Sequence, residues 1–252
     1  MKQLQIIHSS LPYDITFKIV SSLSVRDVCA LGSCSKFWRE LCGSDPIWVS
    51  LSKQRWPSLN LSEDNFSISD SNSQPQLHGW KAFYMNRHQE MAGKASNIIK
   101  FVEQCSSSVS LEVRDYLKAI EELCSIQIGF KDVELFLFKP ELNVLLNLIG
   151  LHYCINWLGV TPENVMDALQ CSSISERQVS IKWWKVGRWF YGFRLRDESH
   201  YRLVSLADLA THKQDVLEVL HRGAVYEVIR VQISVGYPLT NPWTCQGSAS
   251  HG

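Results

Sequence analysis

Three helix-start signals in residues 11–57 constrain this chain more than any other feature of its 252-residue sequence. Pro12 suits the first position of a helix, because its missing N–H would have no partner there. Ser24, with Asp27 three residues later, predicts a capping box at the start of a second helix. Asp45 followed by Pro46 predicts a third start, with an aspartate cap and a proline in the first turn. We therefore expect three short helices joined by tight turns.

The first predicted helix carries more apolar surface than a unit of this size can bury. Ile15, Ile19 and Leu23 recur at helical spacing, and Phe17 and Val20 extend the apolar surface over a second side. Units below about 40 residues rarely bury enough area to be stable alone. Neighbouring helices can cover one side of this helix, and the other side needs the rest of the chain or another protein.

The order of residues in this stretch resembles the F-box family over residues 8–57. Asp14 and Cys34 depart mildly from the family, which more often has glutamate and valine at those positions. The resemblance implies a three-helix motif that docks on the Skp adaptor of a cullin-based ubiquitin ligase. The matching positions are Leu11-Pro12, Ile15, Ile19, Leu23, Val28, Leu31, Cys34-Ser35, Phe37-Trp38, Asp45-Pro46-Ile47-Trp48 and Leu51.

The resemblance also implies which side chains contact the Skp adaptor and, through it, the cullin. It leaves open whether Val20 and Ile47 face the adaptor or pack internally. The docking residues carried over from the family are Leu11, Pro12, Ile15, Ile19, Leu23, Val28, Leu31, Trp38, Trp48 and Leu51.

Composition excludes several other classes of protein. The 25 basic and 25 acidic residues balance, so net charge gives no reason to expect binding to nucleic acid or to an acidic membrane. The eight cysteines form no C-x-x-C pair, which argues against a zinc site or a disulfide framework and for a reducing compartment. No apolar run is long enough to span a membrane. We expect a soluble protein of the cytoplasm, the nucleus or both, with no cofactor.

Changes in amino-acid composition along the chain predict its domain organisation. Residues 58–79 are rich in Ser, Asn, Asp and Gln, as is typical of a linker or long loop. Residues 80–235 are expected to form a C-terminal domain of helices followed by strands, and residues 236–252 a flexible tail. No repeat of 20 to 50 residues is present, which argues against leucine-rich, kelch or WD-type arrays. The predicted fold class is α+β: a three-helix F-box, a helical middle layer and a C-terminal antiparallel sheet with a helix.

Helical periodicity is clear across the middle of the chain. A helix is expected from Trp80 to about Val102, another from Ser110, and a third after Thr161, with the threonine as its cap. Residues 131–140 are ambiguous between helix and strand. Residues 141–160 are apolar nearly all round, which predicts one buried helix or two joined at Gly150.

Strand-like alternation begins near residue 175. Val179, Ile181 and Trp183 alternate with polar or outward positions. Residues 186–188 are expected to form a hairpin turn or a bulge, and residues 196–200 a second turn. A helix over residues 206–222, closed by glycine, and a last strand over residues 224–235 complete the prediction.

The sequence contains little that predicts catalysis. It has no nucleophile elbow, no zinc-protease motif and no phosphate-binding loop. His152 and Cys154 could form a nucleophilic pair, but a hydrogen-bonded core histidine is the favoured interpretation because the surrounding helix is apolar. We therefore expect no enzymatic activity in this chain.

Residues 177–202 combine cations with aromatic side chains, and we take them as a candidate recognition surface. The favoured interpretation is a half-buried sheet, followed by a binding surface for a target protein, since tryptophan and arginine dominate such interfaces. Single-stranded nucleic acid, held by cations and stacked aromatics, ranks third. The candidate target-binding residues are Trp183, Trp184, Arg188, Trp189 and Arg194.

Together these features predict a non-catalytic adaptor that recruits a target protein to an SCF-type (Skp–cullin–F-box) ubiquitin ligase. Holding target lysines near activated ubiquitin raises their effective concentration without any catalytic residue here. Two alternatives are an F-box scaffold that works outside a ligase and a nucleic-acid binder that uses residues 177–202. The sequence does not name the target.

Overall fold

The computed structural model describes residues 12–57, 79–106, 110–211, 214–224 and 227–236. Leu11, nearly all of the predicted 58–79 linker and nearly all of the predicted 236–252 tail lie outside these described residues. The chain divides into two compact units, residues 1–94 and 95–252. The predicted α+β fold class is confirmed: an all-helical N-terminal stretch precedes a mixture of helices and an antiparallel sheet.

Between residues 12 and 57 the structure has four helices where three were predicted. The predicted second helix is interrupted at Ser35, whose backbone is extended (φ −155°, ψ 168°). The Ser35 hydroxyl accepts a hydrogen bond from the Trp38 N–H, so the serine caps a separate helix. The helices are α1 (Tyr13–Ser21), α2 (Val25–Cys34), α3 (Lys36–Cys42) and α4 (Asp45–Arg55).

The predicted helix starts have different outcomes. The Ser24 box is confirmed: the Asp27 N–H donates to Ser24 Oγ (3.2 Å) and the Ser24 hydroxyl donates to Asp27 Oδ2 (2.6 Å). Pro12 is the N-cap of α1 rather than its first residue. Asp45 does not cap α4, since it is already helical there, and instead its Oδ1 accepts from the Trp80 N–H at 2.9 Å.

The next helix, α5 (Trp80–Cys105), begins in the first unit, and its residues 80–94 belong to it. The core of this unit is built from apolar residues of α1 to α5, with Trp48 and Ile47 fully buried. The core residues are Val20, Val28, Leu41, Cys42, Ile47, Trp48, Leu51, Trp56 and Tyr84.

The second unit contains the rest of α5 and a helical layer. Ser110 does not start a helix as predicted, because Ser110–Glu112 form strand β1, which pairs with the last strand of the sheet. The ambiguous segment is a helix, and the 141–160 stretch is one helix with Gly150 inside it. Thr161 precedes a helix as predicted but makes no capping bond. The helices are α6 (Val113–Ile126), α7 (Phe130–Phe136), α8 (Val144–Asn156) and α9 (Pro162–Cys171).

The chain then forms a sheet flanked by two further short helices. The predicted single helix over 206–222 is two helices, and the second ends at Gly223, whose φ of +67° confirms the predicted glycine end. The strands are β2 (Gln178–Lys185), β3 (Trp189–Phe190), β4 (Phe193–Arg194), β5 (Glu198–Ser205) and β6 (Val228–Val235), and the helices are α10 (Leu206–Thr211) and α11 (Gln214–Arg222).

The four-stranded sheet is antiparallel in the order β1-β6-β2-β5, so β5 forms one edge. The predicted alternation in β2 is confirmed, since Val179, Ile181 and Trp183 are all buried. Helices α6, α8 and α10 pack on that face. The opposite face carries half-buried or exposed side chains, Trp184 and Tyr201 among them.

A turn at residues 186–188 and a second turn at residues 196–200 are both wrong, although the β2–β6 pairing shifts register just before the first segment, between Trp184 and Lys185. Strands β3 and β4 continue the β2–β5 pairing in the same register, from Gln178 opposite Ser205 to Phe190 opposite Phe193. The chain reverses at Tyr191 and Gly192, both with positive φ (46° and 83°), as a two-residue hairpin turn requires. Segments 186–188 and 196–200 therefore lie within the arms of one long hairpin.

A buried polar contact ties this sheet to the helical layer. Asn147, fully buried in α8, donates to the Leu137 and Lys139 carbonyl oxygens at 2.6 and 3.2 Å. Its Oδ1 accepts from the Arg177 guanidinium, which also donates to the Leu142 carbonyl at 2.8 Å. Burial lowers the pKa of Arg177. Arg177 is therefore occupied internally, so it is not one of the exposed cations that the sequence suggested.

Candidate functional site

Helix α1 presents apolar side chains to solvent although its inner side is packed. Thr16 and Val20, one turn apart, are buried against the core of the unit. Ile15 and Ile19 are also one turn apart and are 44% and 43% exposed, and Tyr13 is 60% exposed. The apolar excess predicted for this helix therefore lies outward, on a row beside its buried side.

The predicted docking residues fall into three groups by burial. Pro12, Ile15 and Ile19 are exposed, and Leu23, Leu31 and Trp38 are half-buried. Phe37, which the prediction omitted, is exposed and packs edge-on against Trp38 with ring centroids 5.2 Å apart. Val28, Trp48 and Leu51 are buried inside the unit, as are Val20 and Ile47, which the resemblance had left open.

The buried members of the predicted set hold the helices that carry the exposed members. The Trp48 indole N–H donates to the Cys42 carbonyl at 2.7 Å, which joins α4 to the end of α3. Its ring meets Tyr84 edge-on, with centroids 5.4 Å apart. Because these contacts lie inside the unit, we assign Trp48 to support of the surface rather than to contact with a partner.

Sequence reasoning missed the contacts that fix α5 to α4. The Arg55 guanidinium donates to the Tyr84 hydroxyl at 2.8 Å, lies 3.0 Å from His88 Nδ1 and stacks 4.8 Å from the Trp56 ring centroid. The expected helix from Trp80 carried the signal for this, since Tyr84 and His88 are one turn apart and so share a side.

A surface pocket of about 320 Å³ opens beside α2 and α3. Arg39 and Lys81 give it positive charge, and Cys29 and Ser33 lie at its wall. Burial raises the pKa of Cys42 at its base, with a smaller effect from Cys29. The pocket is a cationic recess in the same unit as the exposed row of α1.

The second candidate surface is the projecting end of the long hairpin, residues 186–197, which we name the aromatic arm. Its large side chains are unusually open to solvent: Trp189 is 74% exposed, Phe193 78% and Tyr191 88%. Phe190 and Leu195 are also exposed, at 61% and 53%. Exposed apolar patches of this kind on a folded domain mark interaction sites.

Polar contacts at the base of the arm fix its geometry. Asp197 Oδ1 accepts from the Gly187 N–H and from the Arg194 guanidinium, both at 2.9 Å, and these contacts lower the pKa of Asp197. Arg188 lies 3.4 Å from Glu227. A Cβ on Gly187 would lie 1.9 Å from the Leu195 carbonyl oxygen, so the two backbones can approach this closely only at a glycine.

The structure does not bring the five predicted target-binding residues together. Trp183 is buried and stacks on His200, with centroids 5.3 Å apart. Trp184 lies on the opposite face, 4.8 Å from the Lys182 ammonium and 5.2 Å from the Arg230 guanidinium. Only Arg188, Trp189 and Arg194 lie on the aromatic arm.

The predicted His152–Cys154 pair is not formed. His152 Nδ1 is 2.6 Å from the Tyr116 hydroxyl and its Nε2 is 3.0 Å from the Asn156 amide, so both ring nitrogens are engaged. Burial, with a smaller effect from His221, lowers the pKa of His152 to about 3, and burial raises the pKa of Cys154 far above its usual value. This is a neutral core histidine, as the favoured interpretation held.

The described ranges contain neither a cluster of metal ligands nor a membrane-spanning helix. No group of three or more His, Cys, Asp or Glu side chains could hold a metal ion. No helix in this part of the chain is long and apolar enough to cross a membrane.

Comparisons with known proteins give a family for one stretch of the chain. Residues 8–50 match the family model of the F-box domain. The F-box/WD repeat-containing protein pof1 of Schizosaccharomyces pombe is 41% identical over 46 residues, which cover 18% of this chain and 8% of that protein. No solved structure matches the chain. The predicted F-box resemblance is confirmed, and the match leaves residues 51–252 outside the family model.

Proposed function

We propose, from the premise that residues 8–50 are an F-box domain, that this chain recruits a target protein to an SCF-type ubiquitin ligase. In this proposal the F-box, residues 8–57, binds a Skp-type adaptor and through it a cullin. The region of residues 80–235 binds the target. The chain itself is non-catalytic, and it acts in the cytoplasm, the nucleus or both.

The observation that carries the proposal is the outward apolar row on α1. The core beneath it is closed without Ile15 and Ile19, since Val20, Ile47 and Trp48 are fully buried. Burying an isoleucine side chain is favourable by about 1.5–3 kcal/mol relative to leaving it exposed. Because 44% and 43% of these two side chains are still exposed, a partner helix or groove that covers both would gain somewhat under half of this free energy for each, which fits a docking role.

The proposed mechanism is proximity. A bridge between a ligase scaffold and a target makes the encounter of target lysines with activated ubiquitin intramolecular, and so raises their effective concentration. The chain needs no nucleophile or acid–base pair for this. The exposed or half-buried members of the predicted set are the ones we propose to contact the adaptor: Pro12, Ile15, Ile19, Leu23, Leu31 and Trp38, with Tyr13 and Phe37 added.

The test is co-purification of the full chain with a Skp adaptor and a cullin, in wild type and in an Ile15→Asp/Ile19→Asp variant. Because both side chains are already in solvent, the variant should fold with an unchanged melting temperature and lose at least about 90% of the adaptor, a loss of at least tenfold in affinity. The matched control is Leu135→Asp, which alters a side chain equally exposed (43%) in the second unit. It should retain the adaptor.

Retention of the adaptor by the double variant would reject the α1 surface. Binding of the adaptor without a cullin, or without ubiquitination of any bound protein in a reconstituted reaction, would instead indicate a scaffold that works outside a ligase.

A further inference from the structure

Strand β5 has an open edge. The Leu206 N–H donates to the Arg177 carbonyl at 3.0 Å, and this pairing continues along β2 and β5. Antiparallel strands alternate between residues that bond to the partner strand and residues that do not. The backbone groups of Ser199, Tyr201 and Leu203 therefore point away from β2, and no other described strand or loop backbone pairs with them.

The aromatic arm extends this same edge. Because β4 and β5 lie on one side of the long hairpin, a strand added along β5 would run onto the arm. There it would meet Phe193 and Leu195, which are two residues apart and both more than half exposed. Trp189 lies on β3 opposite Arg194, and so on the other face of the hairpin from Phe193. Isolated two-stranded hairpins are at best marginally stable in water, and a third strand pairs with one of their open edges.

Charge on this surface selects the chemistry of the occupant. From residue 182 to 202 six side chains are basic and two, Asp197 and Glu198, are acidic. Arg202 lies on β5 itself, exposed, and Arg196 is exposed on the arm. Opposite charges across neighbouring strands stabilise pairing, whereas like charges oppose it.

We propose that the β5 edge and the aromatic arm bind an extended, acidic segment of the target protein as an added β-strand. This inference rests on the proposed function, according to which the chain binds a target protein. Backbone pairing supplies affinity, and alternate side chains supply specificity. Apolar residues of the segment lie on Phe193 and Leu195, and its carboxylates lie beside Arg196 and Arg202.

Two other occupants fit less well. A second copy of this chain would bring one basic arm and edge against another. A nucleic acid would leave the outward backbone groups of β5 without strand partners.

The test selects peptides for binding to the immobilised full chain from a phage-displayed library of random peptides of about 12 residues, long enough to span eight-residue β5. We expect enriched peptides in which Asp or Glu alternates with β-branched or aromatic residues. Affinity of a selected peptide, measured by fluorescence anisotropy, should fall about tenfold or more in Phe193→Ser/Leu195→Ser. An Arg196→Glu/Arg202→Glu variant should lose the acidic peptide and bind its lysine-substituted counterpart.

Strand addition has its own signature in the peptide. N-methylation of the peptide residues that face β5 should abolish binding, and N-methylation of the intervening residues should leave it intact. On the protein side, Tyr201→Pro removes an outward N–H without breaking a β2–β5 bond, which an edge strand tolerates. It should lose the peptide, while the peptide series decides the question if this variant does not fold.

Several results would overturn the proposal. These are no acidic consensus, equal effects of the two N-methylated series, dimerisation in ultracentrifugation that Tyr201→Pro abolishes, or low-salt oligonucleotide binding that outcompetes the peptides. The readout is independent of the Skp adaptor. Peptide binding with no adaptor binding would reject the proposed function alone, and the reverse would reject only this inference.

Discussion

Helix α1 and the aromatic arm both expose large apolar side chains, but they differ in what lies behind them. Ile15 and Ile19 are on a helix whose other side contributes Val20 to a core that also contains Trp48, so their positions are fixed by a closed core. Trp189 and Phe193 are on a two-stranded ribbon with solvent on both faces, held at its base by Gly187 and Asp197. The α1 surface has a packed core behind it, so its geometry is already formed in the absence of a partner. The aromatic arm has no such core, and most of its packing would come from the partner.

The largest expected effect separates a supporting tryptophan from an exposed one. Trp48→Ala removes a fully buried ring and its bond to the Cys42 carbonyl, and should lower the free energy of unfolding of the first unit by about 3–5 kcal/mol. Chemical denaturation, monitored through hydrogen exchange at the amides of residues 80–94, would measure this loss of free energy. A change below about 1 kcal/mol would mean that the core described for this unit is not what holds it together.

The next effect concerns the polar link behind the sheet. Asn147→Leu removes the buried amide that donates to the Leu137 and Lys139 carbonyls, and leaves the Arg177 guanidinium with the Leu142 carbonyl alone. It should destabilise the second unit by about 3 kcal/mol. Adding Arg177→Met to the Asn147→Leu variant should lower the free energy of unfolding by less than Arg177→Met does in the wild-type protein, because the two residues act together. Additive effects in this double-mutant cycle would contradict the link.

A pH effect of intermediate size is expected from His152. Its folded-state pKa of about 3 lies below the ordinary value near 6.5, so the unfolded chain binds the proton more readily. Stability is therefore complete above about pH 6.5 and is lost as pH falls toward 3, by about 2 kcal/mol at pH 5. Hydrogen exchange in α8 at pH 7 and pH 5 would measure this. His152→Gln should flatten the dependence, and an equal slope in both proteins would argue against it.

The smallest effect is expected at the arm. Trp189→Ala alters the same residue type as the first variant, but at a position 74% exposed, and should change the free energy of unfolding by no more than about 0.5 kcal/mol. Thermal unfolding of the Trp189→Ala and Trp48→Ala variants, measured under the same conditions, provides the comparison. A loss comparable to that of Trp48→Ala would mean that the arm packs on its own chain.

The sequence predicted best where a side chain signals its own backbone. The cap at Ser24, the proline in the first turn after Thr161 and the glycine at 223 act on the backbone within one turn, and helices begin or end there. The alternate burial of Val179, Ile181 and Trp183 was predicted equally well, because a strand with one covered face buries every second side chain.

It predicted poorly where distant residues decide. The helical pattern starting at Ser110 begins with a strand because β6, more than a hundred residues later, pairs with it. The hairpin turn was misplaced because Tyr191 is not a residue type that signals positive φ, whereas Gly187 imitates a turn and serves a close backbone approach.

The docking set illustrates the same limit on a smaller scale. Apolar residues at helical spacing are required both for a core and for a partner surface, so periodicity could not separate Val28, Trp48 and Leu51 from Ile15 and Ile19. Burial, which depends on all five helices of the unit, separates them.

The bond between the Asp45 carboxylate and the Trp80 N–H has a topological consequence. It joins the start of α4 to the start of α5, 35 positions later in the sequence. At the other end of α4, Arg55 and Trp56 both contact Tyr84, so α4 is fastened to α5 at each of its ends. These contacts set the alignment of the two helices, and a change in the length of the sequence between them should leave that alignment unchanged.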